Sequence, residues 1–410
     1  MKEKLAALKE SMDPAQIGEI VEETHALLEY QETPDSKEAL ETIPLLKRED
    51  IRKEAEPLIN DIRSMGDTTV MYHDIFTNHI SYLRFLFDVG QVPEDLFPYI
   101  GILKSVLGYV DTENFTYGEL FHEINMETGG IVPVTNFFTN AKKLSECRVT
   151  FEIKAKTLED NLPKTVELVQ EIMLKSRFDD GKRLYEILAE LKSRLQSNLI
   201  SAGHSVAASR AMSYFSRPAA IQEQINGMPF YRLVDYLEKN FDSCREDLQN
   251  KLEALMKYIF RPENLLLDYV GTQDHYEEFI SLAGQVKKSL HTEPVEHRPF
   301  LIEPVRKNEG FMSASQVQYV CRAGNFISKG LSYTGALRVL KVMMSYEYLW
   351  QEVRVKGGAY GCMCAFGKSG DSYFVSYRDP NLKSTVQVYE RAAAFVEGFD
   401  GDERTMTQYI

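Results

Sequence analysis

Cys147-Arg148-Val149-Thr150-Phe151-Glu152-Ile153-Lys154-Ala155 alternates without a break. Val149, Phe151, Ile153 and Ala155 fall on one face. Arg148, Thr150, Glu152 and Lys154 fall on the other. A period of two predicts a strand with one buried and one solvated face, the habit of antiparallel sheets. Outward from it the chain reads as mixed helix and strand. Upstream, His79–Val89 alternates, with Leu83, Phe85 and Phe87 on one face, and helices are expected over about Leu96–Val110 and Tyr117–Glu127. Downstream, helices are expected over about Leu162–Ser176 and Gly181–Leu199. Leu184, Ile187, Leu188, Leu191 and Leu195 give the second a wide apolar stripe. A short strand at Asn264–Val270 follows. The fold class is α+β: antiparallel-rich sheet packed with helices.

The ends read differently. Asp13-Pro14 is a helix start, with Asp as cap and Pro in the first turn. Ile17, Ile20, Val21, Leu27 and Leu28 then mark one apolar face. Gln31-Glu-Thr-Pro-Asp-Ser breaks that helix, and the stretch has too few large apolar residues to fold alone. It reads as a connector. His291-Thr-Glu-Pro-Val-Glu-His297-Arg-Pro reads as a link between domains. Beyond it come a strand at Gln316–Arg322, a helix at about Thr334–Trp350, strands at about Gly361–Phe366 and Ser372–Tyr377, and a helix at about Leu382–Glu397. Glu403–Ile410 starts a further helix that stops after two turns with nothing to pack on, which reads as a truncated end.

Two segments match in order. Strand, Asp88-Val-Gly90, helix, then Glu127-Thr-Gly129-Gly130 and strand is followed later by strand, Arg322-Ala-Gly324, helix, then Val355-Lys-Gly357-Gly358 and strand. From glycine to Gly-Gly is 39 residues in the first and 33 in the second, a difference that one loop absorbs. The expected layout is a helical connector over 1–48, one whole α+β domain over 49–290, and the start of a second over 291–410.

Composition narrows the function classes. The 410 residues are 44% hydrophobic, enough for sizeable cores, and carry a net charge of −14. A surplus of acid argues against a duplex-binding surface, so no nucleic-acid partner is expected. No apolar run is long enough for a membrane span, and the charged, amphipathic N-terminus is no secretory signal. Five scattered cysteines, an odd number, make no disulfide framework and fit the cytoplasm or another reducing compartment. Cys362 and Cys364 share one face of a strand and read as packed thiols. There is no phosphate-cradling loop and no nucleophile elbow. His122-Glu123 begins a zinc-helix pattern, but Met126 stands where the second histidine belongs.

One segment stands apart: Val353-Arg354-Val355-Lys356-Gly357-Gly358-Ala359-Tyr360-Gly361. Its glycines let backbone approach closely. An Arg followed by a Tyr at the next strand can offer two donors to a carbonyl or oxyanion. The same residues also suit a plain helix-to-strand turn.

Here the chain resembles the pitrilysin/insulinase class of zinc metallopeptidases, and within it the presequence-protease subfamily. Gln31-Glu-Thr-Pro-Asp-Ser-Lys-Glu-Ala-Leu-Glu-Thr-Ile-Pro44 looks like the connector opening that subfamily's C-terminal half. Val353–Gly361 and Ser376-Tyr-Arg-Asp-Pro380 look like the signature of its fourth domain. The resemblance implies four homologous α+β domains arranged as a clamshell, the repeat here being the third and fourth. It implies zinc bound on an H-x-x-E-H helix of an absent N-terminal half, with no metal site in this segment. It also implies that Arg354 and Tyr360, with Gly357 and Gly358, hold the substrate backbone near the scissile carbonyl. Counting from the Gly-Gly pairs, the first copy carries Met126 and Val132 at those places. The expected function is the non-catalytic half of an endopeptidase that degrades unfolded peptides in a closed chamber, partnered by the N-terminal half. The acid surplus would favour basic peptides if it lined the wall. The alternative is a stand-alone peptide-binding or scaffold subunit that pairs with a separate zinc-bearing chain.

Overall fold

The computed structural model describes residues 2–33, 35–44, 46–140, 142–143, 146–296 and 302–410. They form two compact groups, Met1–Ala55 with Gly401–Ile410, and Glu56–Asp400.

In the smaller group, α1 (Lys2–Glu10), α2 (Pro14–Glu32) and α3 (Lys37–Glu41) follow one another. Asp13 caps α2 as its sequence predicts. Its carboxylate accepts from the Ala15 and Gln16 backbone at 2.9 and 2.8 Å, and the Gln16 side chain accepts in return from the Asp13 N–H. Ile20, Val21, Leu27 and Leu28 are all exposed, so the apolar stripe of α2 has no cover here. The C-terminal helix (Glu403–Tyr409) corrects the sequence expectation. It does have something to pack on: the Arg404 guanidinium donates to the Leu40 carbonyl at the end of α3, 2.5 Å away, and Tyr409 is buried.

The larger group is built on two sheets. The first has β1 (Asp61–Met65), β2 (Thr68–His73), β3 (Ile80–Asp88), β4 (Ile131–Thr139), β5 (Cys147–Leu158) and β6 (Leu265–Val270), in the order β1-β2-β6-β3-β5-β4. Every neighbouring pair is antiparallel except β2 with β6. β5 therefore lies inside the sheet, between β3 and β4. Val149, Phe151 and Ile153 are fully buried, as alternation requires. The opposite face departs from expectation, because Thr150 and Glu152 are buried as well. Leu86 and Val134 stand beside Glu152 in register on that face and keep water from it. Thr150 donates to one carboxylate oxygen at 2.7 Å, and Lys154 lies 4.0 Å from the other.

Helices α4 (Ile100–Val106), α5 (Tyr117–Glu127), α6 (Leu162–Lys175), α7 (Gly181–Ser201), α8 (Gly203–Met212), α9 (Arg217–Asn226), α10 (Met228–Lys239), α11 (Phe241–Ile259) and α12 (Gln273–Lys288) complete this unit. The sheet and helices meet through aromatic edges. Phe260, just after α11, sits 5.1 Å from Phe87 and 5.7 Å from Phe151, ring centre to ring centre, both edge-on. The helix expected over Leu96–Val110 is shorter: a 3₁₀ turn at Phe97–Tyr99 leads into α4, which ends at Val106. Gly108, at φ +83°, takes the left-handed turn that ends it.

The second sheet holds β7 (Cys321–Asn325), β8 (Gly361–Phe366) and β9 (Asp371–Tyr377) in the order β7-β9-β8, all antiparallel. That order repeats β3-β5-β4. The second glycine of each Gly-Gly pair adopts positive φ, +118° at Gly130 and +77° at Gly358. The strand expected at Gln316–Arg322 begins later. Gln318 forms only an isolated bridge to Asp379, and the ladder runs from Cys321 to Asn325. The link read at His291–Pro299 lies partly outside the described residues. From Ile302 to Tyr319 the chain forms no strand longer than that bridge. The helix expected to stop at Trp350 does not. α13 (Ala336–Met343) continues as a π-helix over Met344–Val355. α14 (Lys383–Gly398) and α15, the C-terminal helix above, follow.

α8 packs on one face of the second sheet. His204 meets the Tyr377 ring edge-on at 4.9 Å. The Tyr319 hydroxyl donates to the Ile200 carbonyl, which lays its ring against Gly203. A Cβ on Gly203 would come within 2.3 Å of that ring. Arg210, also on α8, binds Glu309 in two bonds of 2.9 and 3.2 Å, and Tyr214 donates to the same carboxylate at 2.5 Å. Arg210 reaches buried Glu223 as well.

Two outcomes follow. Gly203→Ala overpacks a fixed ring and costs about 1–3 kcal/mol, measurable as a lower unfolding midpoint; an unchanged midpoint contradicts the packing. The Tyr214 hydroxyl and then Arg210 hold the Glu309 carboxyl below the ordinary glutamate range. A depressed folded pKa gives stability that is present above the unfolded value and lost as pH falls through the folded one. Acidification through that window is therefore expected to speed amide exchange over residues 303–310, and Glu309→Gln to remove the step.

Candidate functional site

The site grows out of the way the π-helix ends. Lys356 donates to the Gln351 carbonyl, Gly358 to Arg354 and Ala359 to Val353, at 2.9, 2.9 and 3.1 Å. The chain thus folds back over its own last turn. A Cβ on Gly357 would stand 2.4 Å from the Val353 carbonyl oxygen, so only glycine fits. Gly358 then turns with φ +77° and delivers Tyr360 to the start of β8.

Buried Asp379 fixes the far side. It accepts from the Asn381 backbone at 2.8 Å and the Thr385 hydroxyl at 2.7 Å. Asn381 in turn donates its amide to the Gly357 carbonyl at 2.6 Å. The run Ser376–Pro380 is therefore strand and turn, and Ser376, fully buried, accepts from the Val320 N–H.

Arg354 and Tyr360 line one open cleft together with Trp350, Gly358, Ala359 and Arg378. The Arg354 guanidinium lies 3.7 Å above the Trp350 ring centre. The Tyr360 ring meets Tyr377 edge-on at 5.8 Å, and its N–H donates to the Tyr377 carbonyl at 3.1 Å. Tyr360 is 67% exposed, so its hydroxyl faces solvent. Among the described residues, neither the guanidinium nor that hydroxyl has an ion-pair or hydrogen-bond partner in the protein. Of the expected site residues, Gly357 alone does not line the cleft; it shapes the turn. No carboxylate lines it either, so the acid surplus does not reach this cleft. Arg378 holds φ +48°, uncommon for a residue with a side chain.

Sequence reasoning missed Trp350 and Arg378. Trp350 had a signal: the sole tryptophan stands one helical turn before Arg354. The backbone twist at Arg378 has none.

The remaining candidates sit apart from this chemistry. Burial pushes the Cys362 thiol up to about 11, with Arg354 opposing, and the Cys321 thiol up to about 12. Cys364 is raised by burial too, and packs its sulfur 3.6 Å from the Lys341 carbonyl. Among the described residues no three His, Cys, Asp or Glu side chains converge as a metal site would require. No helix among them is long and apolar enough to cross a membrane. At the first copy's Gly-Gly turn, Met126 and Val132 are exposed and offer no donor.

Comparison with known proteins places this geometry. Residues 1–237 match the family described as peptidase M16, subfamily C, associated, and residues 308–410 match the PreP C-terminal domain. The protein HypA of Clostridium perfringens is 38% identical over the whole chain, which covers 42% of that protein. Presequence protease 1 of Arabidopsis thaliana, chloroplastic/mitochondrial, is 29% identical over 99% of the chain and 38% of its own length. The chain thus spans about two fifths of these relatives. Among solved structures, a conserved protein from Enterococcus faecalis matches 86% of the chain and 83% of its own at a TM-score of 0.61 and 14% identity. A peptidase M16 inactive domain from Pseudomonas fluorescens matches 85% of the chain and 86% of its own at 0.50, again at 14% identity. These structural likenesses bear on the fold. The chain belongs to the family associated with subfamily C of the M16 peptidases and corresponds to the C-terminal half of a presequence-protease-like M16 peptidase.

Proposed function

We propose that this chain is the non-catalytic half of a zinc-dependent endopeptidase that degrades unfolded peptides inside a closed chamber. Its part is to bind the peptide backbone and to stabilise charge on the scissile carbonyl through Arg354 and Tyr360. One observation carries the reading. Two hydrogen-bond donors, each seated on an aromatic ring and neither used by the protein itself, line the same cleft. Idle donors held in place by packing are what transition-state stabilisation needs, because they cost no reorganisation when charge develops.

The roles divide by chemistry. Arg354 is permanently charged and suits a developing oxyanion. Tyr360 adds one neutral donor. Gly357 and Gly358 hold the two at the spacing the turn dictates. The residues of this chain do not fit a zinc site, since the described ones bring no three ligands together and burial keeps the Cys362 and Cys364 thiols protonated. Zinc belongs, in this reading, to an N-terminal half that is the chain's principal partner. Unfolded peptides are the substrates, and a reducing compartment suits the free cysteines.

The test uses the longer polypeptide that contains both halves. Arg354→Ala is expected to lower kcat at least tenfold with zinc content unchanged, since removing one such donor elsewhere costs about 10²–10³. Unaltered kinetics would refute the role. Gly357→Ala forces the turn off the Val353 carbonyl and is expected to lower kcat without removing either donor. Full activity in that variant would show that the turn does not position them.

A further inference from the structure

In the first sheet, β6 lies between β2 and β3, antiparallel to β3 and parallel to β2. β2 never pairs with β3. The second sheet repeats β3-β5-β4 as β7-β9-β8 and then stops at β7. Among the described residues nothing stands where β6 stands in the first.

The edge of β7 is open as a consequence. The Val320 carbonyl accepts from the Ser376 N–H, and the Phe326 N–H donates to Gly370, so Val320, Arg322 and Gly324 turn their backbone toward β9. Cys321 and Ala323 turn theirs the other way. This edge faces a groove of about 2020 Å³. β7 is one wall. The extended segment Glu303–Gly310 is another, and α8 contributes Val206 and Ala207. That segment precedes β7 as β1 and β2 precede β3, yet it forms no strand. The first sheet supplies the reason: a strand there ladders onto a β6, not onto its successor. Arg210 and Tyr214 nonetheless hold Glu309 and keep the segment in place.

We propose that this groove is an acceptor slot for one extended peptide strand, antiparallel to β7, with the chemistry of β6. That chemistry is Leu265-Leu-Leu-Asp268-Tyr-Val270: apolar, with one acid. Charge agrees with it. Arg217, Arg306 and Lys329 line the groove, and none has a carboxylate partner among the described residues, in a chain of net charge −14. A strand entering the slot satisfies the outward groups of Cys321 and Ala323, and gives Glu303–Gly310 a neighbour to pair with. Strand addition of this kind draws affinity from main-chain bonds and selectivity from alternate side chains.

The experiment adds a synthetic peptide copying Asn264–Gly271, with acidic flanks for solubility, to the full chain and follows amide exchange. The expected result is saturable slowing, by about tenfold or more, at Cys321, Ala323 and residues 303–310. The same peptide N-methylated at alternate amides is expected to do nothing. Ala323→Pro is expected to abolish the effect while keeping the β9 ladder, because the lost N–H points away from β9. Three results overturn the proposal: no slowing, equal slowing by the methylated peptide, or slowing that grows with protein concentration alone, which would assign the edge to a second copy.

Discussion

A missing Cβ at Gly357 is the constraint on which the site depends. The Val353 carbonyl occupies the place where that atom would be. Because nothing is there, the chain folds back across the end of its helix and the Ala359 N–H reaches Val353. Everything downstream is set by this closure: the left-handed Gly358, the entry into β8, and the arrival of Tyr360 in the cleft that Arg354 lines. The buried carboxylate of Asp379 locks the same turn from outside, through Asn381. Two independent anchors on one glycine carbonyl and its neighbours leave the donors little freedom.

The helix leading into that turn is unusual as well. A π-helix of 12 residues is long for a conformation met mostly as single-turn bulges. Its wider winding brings Arg354 over Trp350, a contact worth about 0.5–1 kcal/mol at an exposed site and more when water is excluded. The first copy lacks all of this. Its α5 is an ordinary α-helix, started by a reciprocal cap between Thr116 and Glu119, and it ends in a turn flanked by Met126 and Val132. Duplication supplied two scaffolds, and the donors occur on one.

Much of this was legible in the sequence. Alternation placed the buried face of β5, and the Asp13-Pro14 start of α2 was readable because capping is local chemistry. The Gly-Gly pairs marked both turns, since left-handed backbone is something residue type reveals. What failed was non-local. Glu152 reads as solvated by period, but neighbours in register bury it, and register is not written in one strand. β7 starts late because its missing neighbour, not its own sequence, decides where a ladder can run. The helix through Trp350 was foreseen, but its π winding was not, because α and π windings place similar demands on side chains over a few turns. Arg354 and Tyr360 stood out only as donors beside glycines. That neither is consumed by the protein needed the coordinates.

The central claim is that Arg354 and Tyr360 act together on one substrate group. A double-mutant cycle in the two-half polypeptide tests it most directly, with Arg354→Lys, Tyr360→Phe and the pair compared by kcat/KM. Groups sharing a partner couple by about 0.5–3 kcal/mol. The account predicts a coupling in that range, with the double variant losing less than the two single losses combined. Strict additivity would contradict it and leave the two side chains as independent surface groups.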